Sequence, residues 1–152
     1  PINASPGKPP ELGQGNGYIS FSHCPDTLLI GWSQDKLGVD IENKLRDIKA
    51  SSIANRYLKR SALLEIEKSN IEEKKLAILE QWVAREAAIK WQRGRLFKDI
   101  TEWSYSKKLQ KGFHKKNGYK VNINQFYYKN WCIAIASNQP ITSKHLIICD
   151  GQ

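Results

Sequence analysis

Two acidic residues lie two positions apart in a stretch that otherwise has the pattern of a β-strand. Gly38-Val39-Asp40-Ile41-Glu42 alternates apolar with acidic side chains, which is typical of a strand with one face on a core. Asp40 and Glu42 would then project from one face, about 6.5–7 Å apart along the chain. Such carboxylates repel each other unless a cation lies between them, and Mg²⁺ favours oxygen ligands. The stretch is therefore either half of a metal site or an edge strand with a solvated polar face.

A third carboxylate falls inside the apolar stripe of a predicted helix. Residues 71 to about 92 have apolar side chains at a helical period, and Glu86 lies within that stripe with Lys90 one turn later. The apolar members of the stripe are Leu79, Trp82, Val83 and Ile89. A carboxylate in a core-facing stripe is costly unless it is paired or binds a cation. Glu86 therefore either pairs with Lys90 at the rim of the stripe or joins the two acids of the strand as a third ligand.

The composition favours a basic protein that contains no disulfide framework. The 152 residues carry a formal net charge of +9, which predicts attraction to polyanions and leaves a nucleic-acid-binding module as one alternative. Cys24, Cys132 and Cys149 are too few and too far apart for a disulfide scaffold or a zinc site, so we expect a cytoplasmic location. The chain has no methionine, so we expect it to be a segment of a longer protein.

The elements that must position these acids begin with three strands. Tyr18–His23, Thr27–Ser33 and Lys36–Glu42 have alternating patterns and short connections, and we predict that they form an antiparallel meander. Helical spacing then recurs over 48–58 and 61–68, before the long helix.

The second half of the chain predicts one long helix followed by more strands. Asn70 is a suitable N-cap for the helix and Gly94 a suitable stop. An Asn-Gly turn at 117–118 predicts a hairpin. The predicted strands are Ile100–Leu109, Tyr119–Tyr128, Trp131–Ser137 and a short last strand, His145–Cys149. The expected fold class is α+β, with an antiparallel sheet packed against one long helix.

The stretches that carry the acids resemble the motifs of the 4′-phosphopantetheinyl transferase superfamily. Gly38–Glu42 resembles its G-[IV]-D-x-E motif, and Trp82–Lys90 resembles its W-x-x-K-E-[AS]-x-x-K motif, in the same order and at a matching separation. Ser22-His23 is similar to the S-H pair of the family, and Gly7-Lys8-Pro9 is similar to its G-K-P. Gly94-Arg95-Leu96 is similar to its G-x-G-L without the second glycine.

The resemblance is to the larger, surfactin-synthetase-associated class, in which two similar α+β halves form a pseudo-dimer with coenzyme A between them. It implies that residues 1–17 are a connection from a missing N-terminal half. Residues 18–152 would be the C-terminal half, equivalent to one half of the pseudo-dimer. The chain departs from the family at Arg85, where a lysine is usual.

The resemblance implies an enzyme of the holo-[acyl-carrier-protein] synthase type. Such an enzyme transfers the 4′-phosphopantetheine group of coenzyme A to a serine of an acyl or peptidyl carrier protein in fatty-acid or polyketide biosynthesis. The reaction needs Mg²⁺ and releases 3′,5′-ADP. The implied metal ligands are Asp40, Glu42 and Glu86. The implied catalytic residues are Glu86, for the serine proton, and Lys90, for the departing ADP. The implied coenzyme A contacts are Lys8, Pro9, Ser22, His23, Arg85 and Lys90.

Other interpretations stay open beside this one. A degenerate homologue would bind coenzyme A or a carrier protein without catalysis, and Arg85 and the missing half leave room for it. A second copy of the chain is an alternative source of the missing half. The lysines of the predicted hairpin are either a solvated surface or an attraction for an acidic carrier protein. These lysines are Lys107, Lys108, Lys111, Lys115, Lys116 and Lys120.

Overall fold

The structure, a computed structural model, describes residues 1–6, 8–46 and 70–149. The strands are β1 (Ile2–Asn3), β2 (Glu11–Leu12), β3 (Tyr18–Cys24), β4 (Thr27–Ser33), β5 (Leu37–Asn43), β6 (Trp103–Ser106), β7 (Lys111–His114), β8 (Lys120–Tyr128) and β9 (Trp131–Ser137). The helices are α1 (Ile71–Gln92) and α2 (Leu96–Asp99), with a 3₁₀ turn at Ser143–His145. The predicted α+β class is confirmed. The helices predicted over 48–58 and 61–68 lie outside the described residues.

The main sheet is antiparallel and has the strand order β5-β9-β8-β7-β6. In its register Val39 lies opposite Ile135, and Asp40 lies opposite Ala134. Helix α1 packs across one face of this sheet, where small side chains on both surfaces let the two backbones approach closely. The small residues of that interface are Ala84, Ala87, Ala88, Ala134 and Ala136.

The predicted meander of three strands is wrong, because β3 and β4 form a separate two-stranded sheet and β5 pairs with β9. Side chains replace the backbone ladder between β3 and β5. The Ser20 hydroxyl accepts the N–H of Val39 at 3.1 Å, and the Ser22 hydroxyl accepts the N–H of Ile41 at 3.2 Å. These bonds satisfy the free edge of β5, which would otherwise be buried with unpaired donors.

The predicted long helix is confirmed, and both of its ends have a local cause. Asn70 and Glu73 form a capping box at the N-terminus, where the Asn70 side chain accepts the N–H of Glu73 at 3.0 Å. At the C-terminus Arg93 adopts a left-handed conformation with φ of 61°, and the N–H of Gly94 donates to the Ile89 carbonyl at 2.9 Å. The helix therefore ends at Gln92, where the sequence predicted its end, and Arg93 and Gly94 close it.

Two further strand predictions need correction. The strand predicted over Ile100–Leu109 is only Trp103–Ser106, and the chain then turns back into β7, a strand that the sequence pattern did not separate. The strand predicted over His145–Cys149 is wrong, since that stretch begins in the 3₁₀ turn and continues without regular structure. Ile147 and Ile148 are 89% and 53% exposed, and no strand of the described residues pairs with them.

In the described ranges, no helix has both the length and the apolar character that crossing a membrane requires.

Candidate active site

Helix α1 crosses β5 at Gly38, and the two backbones touch there. A Cβ atom on Gly38 would lie 2.0 Å from the carbonyl oxygen of Ala87 and 2.2 Å from the amide nitrogen of Trp91. Only glycine permits this approach. The glycine at the start of the acidic stretch therefore has a packing role, which is to bring the last turns of α1 against Asp40.

Asp40 is buried between β3 and α1. It is 4% exposed, and its Oδ1 accepts hydrogen bonds from the Ser22 hydroxyl and from the Lys90 ammonium, both at 2.7 Å. Burial raises the pKa of Asp40, while Lys90 and Ser22 act in the opposite direction. Lys90 thus forms its ion pair with Asp40. The pair with Glu86, which was one interpretation of the sequence, is not the one formed.

Glu42 lies on the same strand, and both of its carboxylate oxygens are engaged. Oε2 accepts a hydrogen bond from Nη1 of Arg46 at 2.5 Å, and Oε1 accepts the N–H of Asn43 at 3.0 Å. The Cys24 thiol lies 3.5 Å from Oε1 and donates to it. Burial and the nearby Glu42 raise the pKa of the Cys24 thiol to about 11, so that the thiol keeps the proton with which it donates.

Glu86 faces these two acids from α1. Burial, followed by the charges of Asp40 and Glu42, raises the pKa of Glu86 to about 8. Lys90 and a hydrogen bond with Trp82 act in the opposite direction. Three carboxylates therefore influence one another at this crossing, and the basic side chains in ion pairs with them are Lys90 and Arg46. Among the described residues the three carboxyl groups outnumber these two basic partners.

The donor set suits a hard divalent cation in its chemistry, although the ligands are not drawn together around one point. In the part of the chain that the structure describes, no three His, Cys, Asp or Glu side chains converge closely enough to hold a metal ion. The acids at the crossing are all oxygen donors, and among the described residues they outnumber their basic partners, which suits a hard cation such as Mg²⁺. Lys90 now neutralises Asp40 and Arg46 neutralises Glu42. A bound metal ion would neutralise these carboxylates in their place.

The N-terminal residues implied in coenzyme A binding share a cavity with Lys90. This cavity has a volume of about 200 Å³. Its lining residues are Lys8, Pro9, Pro10, Ile19, Ser20, Phe21, Lys90, Arg93 and Gly94. Only the family resemblance grouped Lys8 and Pro9 with Lys90. In the structure these three residues line the same cavity. Gly7 of the same motif lies outside the described residues.

Ser22 and His23 point to different surroundings although they are neighbours on β3. The buried Ser22 hydroxyl is committed to the Asp40 carboxylate and to the N–H of Ile41. His23 is exposed, and it lines a cavity of about 530 Å³ together with Glu42, among other residues. In this structure Ser22 orients the strand acid, while His23 is the member of the pair that is accessible to a ligand.

Arg85 lies within the core. It is 2% exposed, and its Nη1 donates to the carbonyl oxygen of Ile100 at 3.4 Å. Burial lowers the pKa of Arg85 to about 10, which still leaves the guanidinium charged at neutral pH. Arg85 lines neither the cavity of Lys8 nor that of His23, so the structure does not group it with the other implied coenzyme A contacts.

Helix α1 carries a second buried acid, Glu80, which was not among the residues predicted from the sequence. Glu80 is 6% exposed, and both of its oxygens accept hydrogen bonds from the Lys107 ammonium at 2.8 Å. The Tyr127 hydroxyl also donates to Glu80. Glu80 follows Leu79 of the apolar stripe, so its position could have indicated a buried acid. Its partners are remote in sequence and could not be predicted from it. Lys107, assigned above to the hairpin lysines, therefore neutralises a core acid.

Comparison with protein families gives one result. A model of the 4′-phosphopantetheinyl transferase superfamily matches residues 36–136, which is more than half of the chain. That range contains the three acids and Lys90, whereas Lys8 to His23 precede it. A search among curated proteins finds no significant match. The chain therefore belongs to the 4′-phosphopantetheinyl transferase superfamily, whose chemistry is the transfer of phosphopantetheine.

Proposed function

We propose that this protein transfers the 4′-phosphopantetheine group of coenzyme A to a serine hydroxyl of a carrier protein, with Mg²⁺, and releases 3′,5′-ADP. The observation that supports this most is the crossing of α1 and β5 at Gly38. Asp40 and Lys90 meet there at 2.7 Å, and Glu86 faces them with a raised pKa. Carboxyl groups next to a lysine that lines a cavity are an arrangement that serves a metal ion and a phosphate group.

The proposed metal ligands are Asp40, Glu42 and Glu86. A bound Mg²⁺ would neutralise charge on the pyrophosphate of coenzyme A. The carboxylate of Asp40 is held in place for this role by the Ser22 hydroxyl at 2.7 Å, so that little side-chain entropy is lost when a ligand arrives.

Lys90 is the proposed partner of the leaving group. Its ammonium has three N–H donors, and the structure commits one of them to Asp40 at 2.7 Å. The side chain is 30% exposed and lines the cavity of Lys8 and Pro9. The remaining donors are thus available to phosphate oxygens, and their charge stabilises the 3′,5′-ADP that departs.

Glu86 is the proposed acceptor of the serine proton. The serine oxygen of the carrier protein attacks the phosphorus of the phosphopantetheine group, and the bond from that phosphorus to the 3′,5′-ADP oxygen breaks. Glu86 has a pKa of about 8 in the metal-free protein; a bound cation would lower that pKa, so that the carboxylate would be ionised and able to take the serine proton.

The proposed coenzyme A contacts divide into direct and indirect ones. Lys8 and Pro9 flank the adenine, and the exposed His23 contacts a phosphate, which we take to be the 3′-phosphate. Ser22 acts through Asp40, and Arg85 acts through the Ile100 carbonyl that it holds at 3.4 Å. This division follows from which of these side chains line a cavity and which are buried in hydrogen bonds.

The proposed context is the C-terminal half of a two-halved enzyme of the holo-[acyl-carrier-protein] synthase type. Residues 1–17 would connect it to an N-terminal half, and residues 18–152 would form the half itself. A second copy of the chain is the alternative source of the complementary face. The proposed location is the cytoplasm, where coenzyme A is available and where Cys24, Cys132 and Cys149 would stay as the free thiols that they are here.

The test is the labelling of an apo carrier protein with fluorescently tagged coenzyme A by the complete gene product. We expect labelling with Mg²⁺, none after removal of divalent cations, and none with Asp40→Ala. Glu72→Ala is the matched control, because Glu72 is an exposed acid whose partner is Lys75 on the same helix. No labelling by the wild type with Mg²⁺, or full labelling by Asp40→Ala, would contradict the proposal.

A second candidate function is binding of coenzyme A or a carrier protein without catalysis. The observation that favours it is Arg85, which replaces the lysine of the family motif and is buried at 2% exposure. Titration of the complete gene product with coenzyme A separates the two candidates. Binding of coenzyme A without any labelling of a carrier protein would favour the second.

A further inference from the structure

The two acids of β5 have counter-ions of different kinds. Lys90, which neutralises Asp40, is fixed by the packing of α1 and its side chain is 30% exposed. Arg46, which neutralises Glu42, lies in the turn just after β5 and its side chain is 63% exposed. Part of the negative charge at the site is therefore balanced by a long side chain that is mostly in solvent.

The backbone of that turn is held independently of the arginine side chain. The N–H of Arg46 donates to the carbonyl oxygen of Asn43 at 3.1 Å, and the N–H of Lys44 donates to the carbonyl oxygen of Asn130 at 2.7 Å. The N–H of Leu45 is bound by the Asn43 side chain at 2.8 Å. The guanidinium can therefore leave Glu42 by side-chain rotation alone, without disrupting the turn.

The contact occupies the oxygen that a metal ion would need. Nη1 of Arg46 bonds Oε2 of Glu42, while Oε1 already accepts the N–H of Asn43 and the Cys24 thiol. Arg46 and Glu42 also line the cavity of about 530 Å³ in which His23 is exposed. The guanidinium thus lies on the accessible side of the carboxylate, where a cation from solvent would arrive.

We propose that Arg46 is the internal competitor of the divalent cation at Glu42 and sets the affinity of the site for metal. This inference rests on the proposed function only in taking Glu42 as a ligand. In the absence of metal the guanidinium neutralises Oε2, and a divalent cation displaces it. Removal of the guanidinium leaves Glu42 anionic and held by Asn43, so the affinity for the cation rises.

The expected size of the effect follows from the exposure of the pair. Breaking an ion pair between an exposed arginine and a carboxylate costs about 1 kcal/mol. Converted to an equilibrium constant, this is roughly fivefold tighter binding of the cation in Arg46→Gln. Arg46→Lys keeps the charge but loses the planar fork, so its gain is smaller than that of the glutamine variant.

The experiment measures Mn²⁺ binding by electron paramagnetic resonance of the free ion, with the complete gene product and without coenzyme A. Lys44→Gln is the matched control, because it removes one positive charge from the same turn while its ammonium lies over the Tyr127 ring, 5.5 Å from the centroid. We expect Arg46→Gln to bind Mn²⁺ roughly fivefold more tightly than wild type, and Lys44→Gln to change less than about twofold. Circular dichroism confirms that the variants are folded.

Three results would overturn the proposal: unchanged affinity in Arg46→Gln, equal gains in Arg46→Gln and Lys44→Gln, or no Mn²⁺ binding by any of the proteins. The carrier-protein labelling assay on the same samples tests the proposed function separately from the role of Arg46. Labelling by wild type together with unchanged affinity in Arg46→Gln rejects the role of Arg46 and keeps the proposed function. Tighter binding in Arg46→Gln without labelling by wild type keeps the role of Arg46 and rejects the proposed function.

Discussion

Glu80 and Glu86 are two acids six residues apart on the same helix, and their surroundings differ. Glu80 receives the Lys107 ammonium on both oxygens at 2.8 Å, and the Tyr127 hydroxyl completes its surroundings. Glu86 faces Asp40 and other negative charge, and its pKa is raised to about 8. One acid is neutralised by a lysine of its own, and the other lies in a cluster where, among the described residues, the carboxyl groups outnumber the basic side chains.

The difference separates a structural acid from a functional one. A buried carboxylate that serves only the fold is stable when each oxygen has its donor, as in Glu80. A cluster that keeps more carboxylates than counter-ions loses stability by doing so, and such arrangements are concentrated at sites that bind ligands. We therefore expect changes at the two acids to have opposite effects, and this expectation can be tested.

The largest expected difference is in activity. Asp40→Asn removes the charge that faces Lys90, and we expect it to lower labelling of the carrier protein by about 100-fold to 1000-fold. Glu80→Gln leaves the cluster intact, so the folded fraction of this variant should label within about threefold of wild type. Initial labelling rates per folded protein measure both. Equal losses in the two variants would remove the distinction between Glu80 and the acids of the cluster to which Asp40 and Glu86 belong.

The next effect is on the packing that builds the cluster. Gly38→Ala places a methyl group 2.0 Å from the Ala87 carbonyl oxygen, so α1 must shift from β5 at a cost of about 2–3 kcal/mol in the free energy of unfolding. Gly13→Ala is the control, because its added carbon would meet only the flexible side chain of Asn16 at 3.2 Å, and we expect a change within about 0.5 kcal/mol. Urea unfolding measures both variants. Similar free energies for the two would show that the close approach at Gly38 is not required.

A third effect is the dependence of stability on pH in the metal-free protein. In the unfolded chain Glu86 has a pKa of 4.5, and in the folded protein it has a pKa of about 8. Below the unfolded value both states are protonated; above it the unfolded state releases the proton while the folded state retains it. The free energy of unfolding should therefore fall as the pH rises from 5 to 8.

Glu86→Gln should flatten this slope, since only Asp40, whose pKa burial also raises, is left to act in the same direction. Urea unfolding at a series of pH values, with a chelator present, gives the slope for each protein. A wild-type slope that is flat, or one that Glu86→Gln leaves unchanged, would argue against a proton held at Glu86.

The smallest expected effect compares neutral isosteres of the two helix acids at pH 8. Glu80→Gln loses a charge-assisted partner of Lys107 and should be less stable than wild type by about 1–2 kcal/mol. Glu86→Gln relieves repulsion and should be more stable by about 1 kcal/mol. Thermal unfolding in a chelator measures both signs. Destabilisation of both variants by similar amounts would mean that Glu86 is as well satisfied as Glu80.

The sequence was sufficient for the parts of the molecule that depend on local periodicity. The alternation over Gly38–Glu42 predicted β5, and the helical spacing with Asn70 as its cap predicted α1. The conflict between Glu86 and its apolar stripe also pointed to the crossing, because a charge out of place in a periodic pattern is visible without knowledge of its partners.

The features that the sequence did not predict depend on contacts between remote residues. The meander prediction assumed backbone pairing, but the hydroxyls of Ser20 and Ser22 satisfy the N–H groups of β5 instead. Glu80 was missed because Lys107 and Tyr127 come from two different strand regions of the main sheet. The predicted last strand had the right composition, but no neighbouring strand pairs with it in the described ranges.

The measurement that tests the account most directly is the effect of Mg²⁺ on the free energy of unfolding at pH 8, in wild type, Glu86→Gln and Glu80→Gln. An ion that binds the folded state at 100 times its dissociation constant adds about 2.7 kcal/mol. We predict a gain of this order in wild type and in Glu80→Gln, and little gain in Glu86→Gln. No gain in wild type, or the same gain in all three proteins, would contradict the claim that the excess carboxylate at the crossing of α1 and β5 serves a divalent cation.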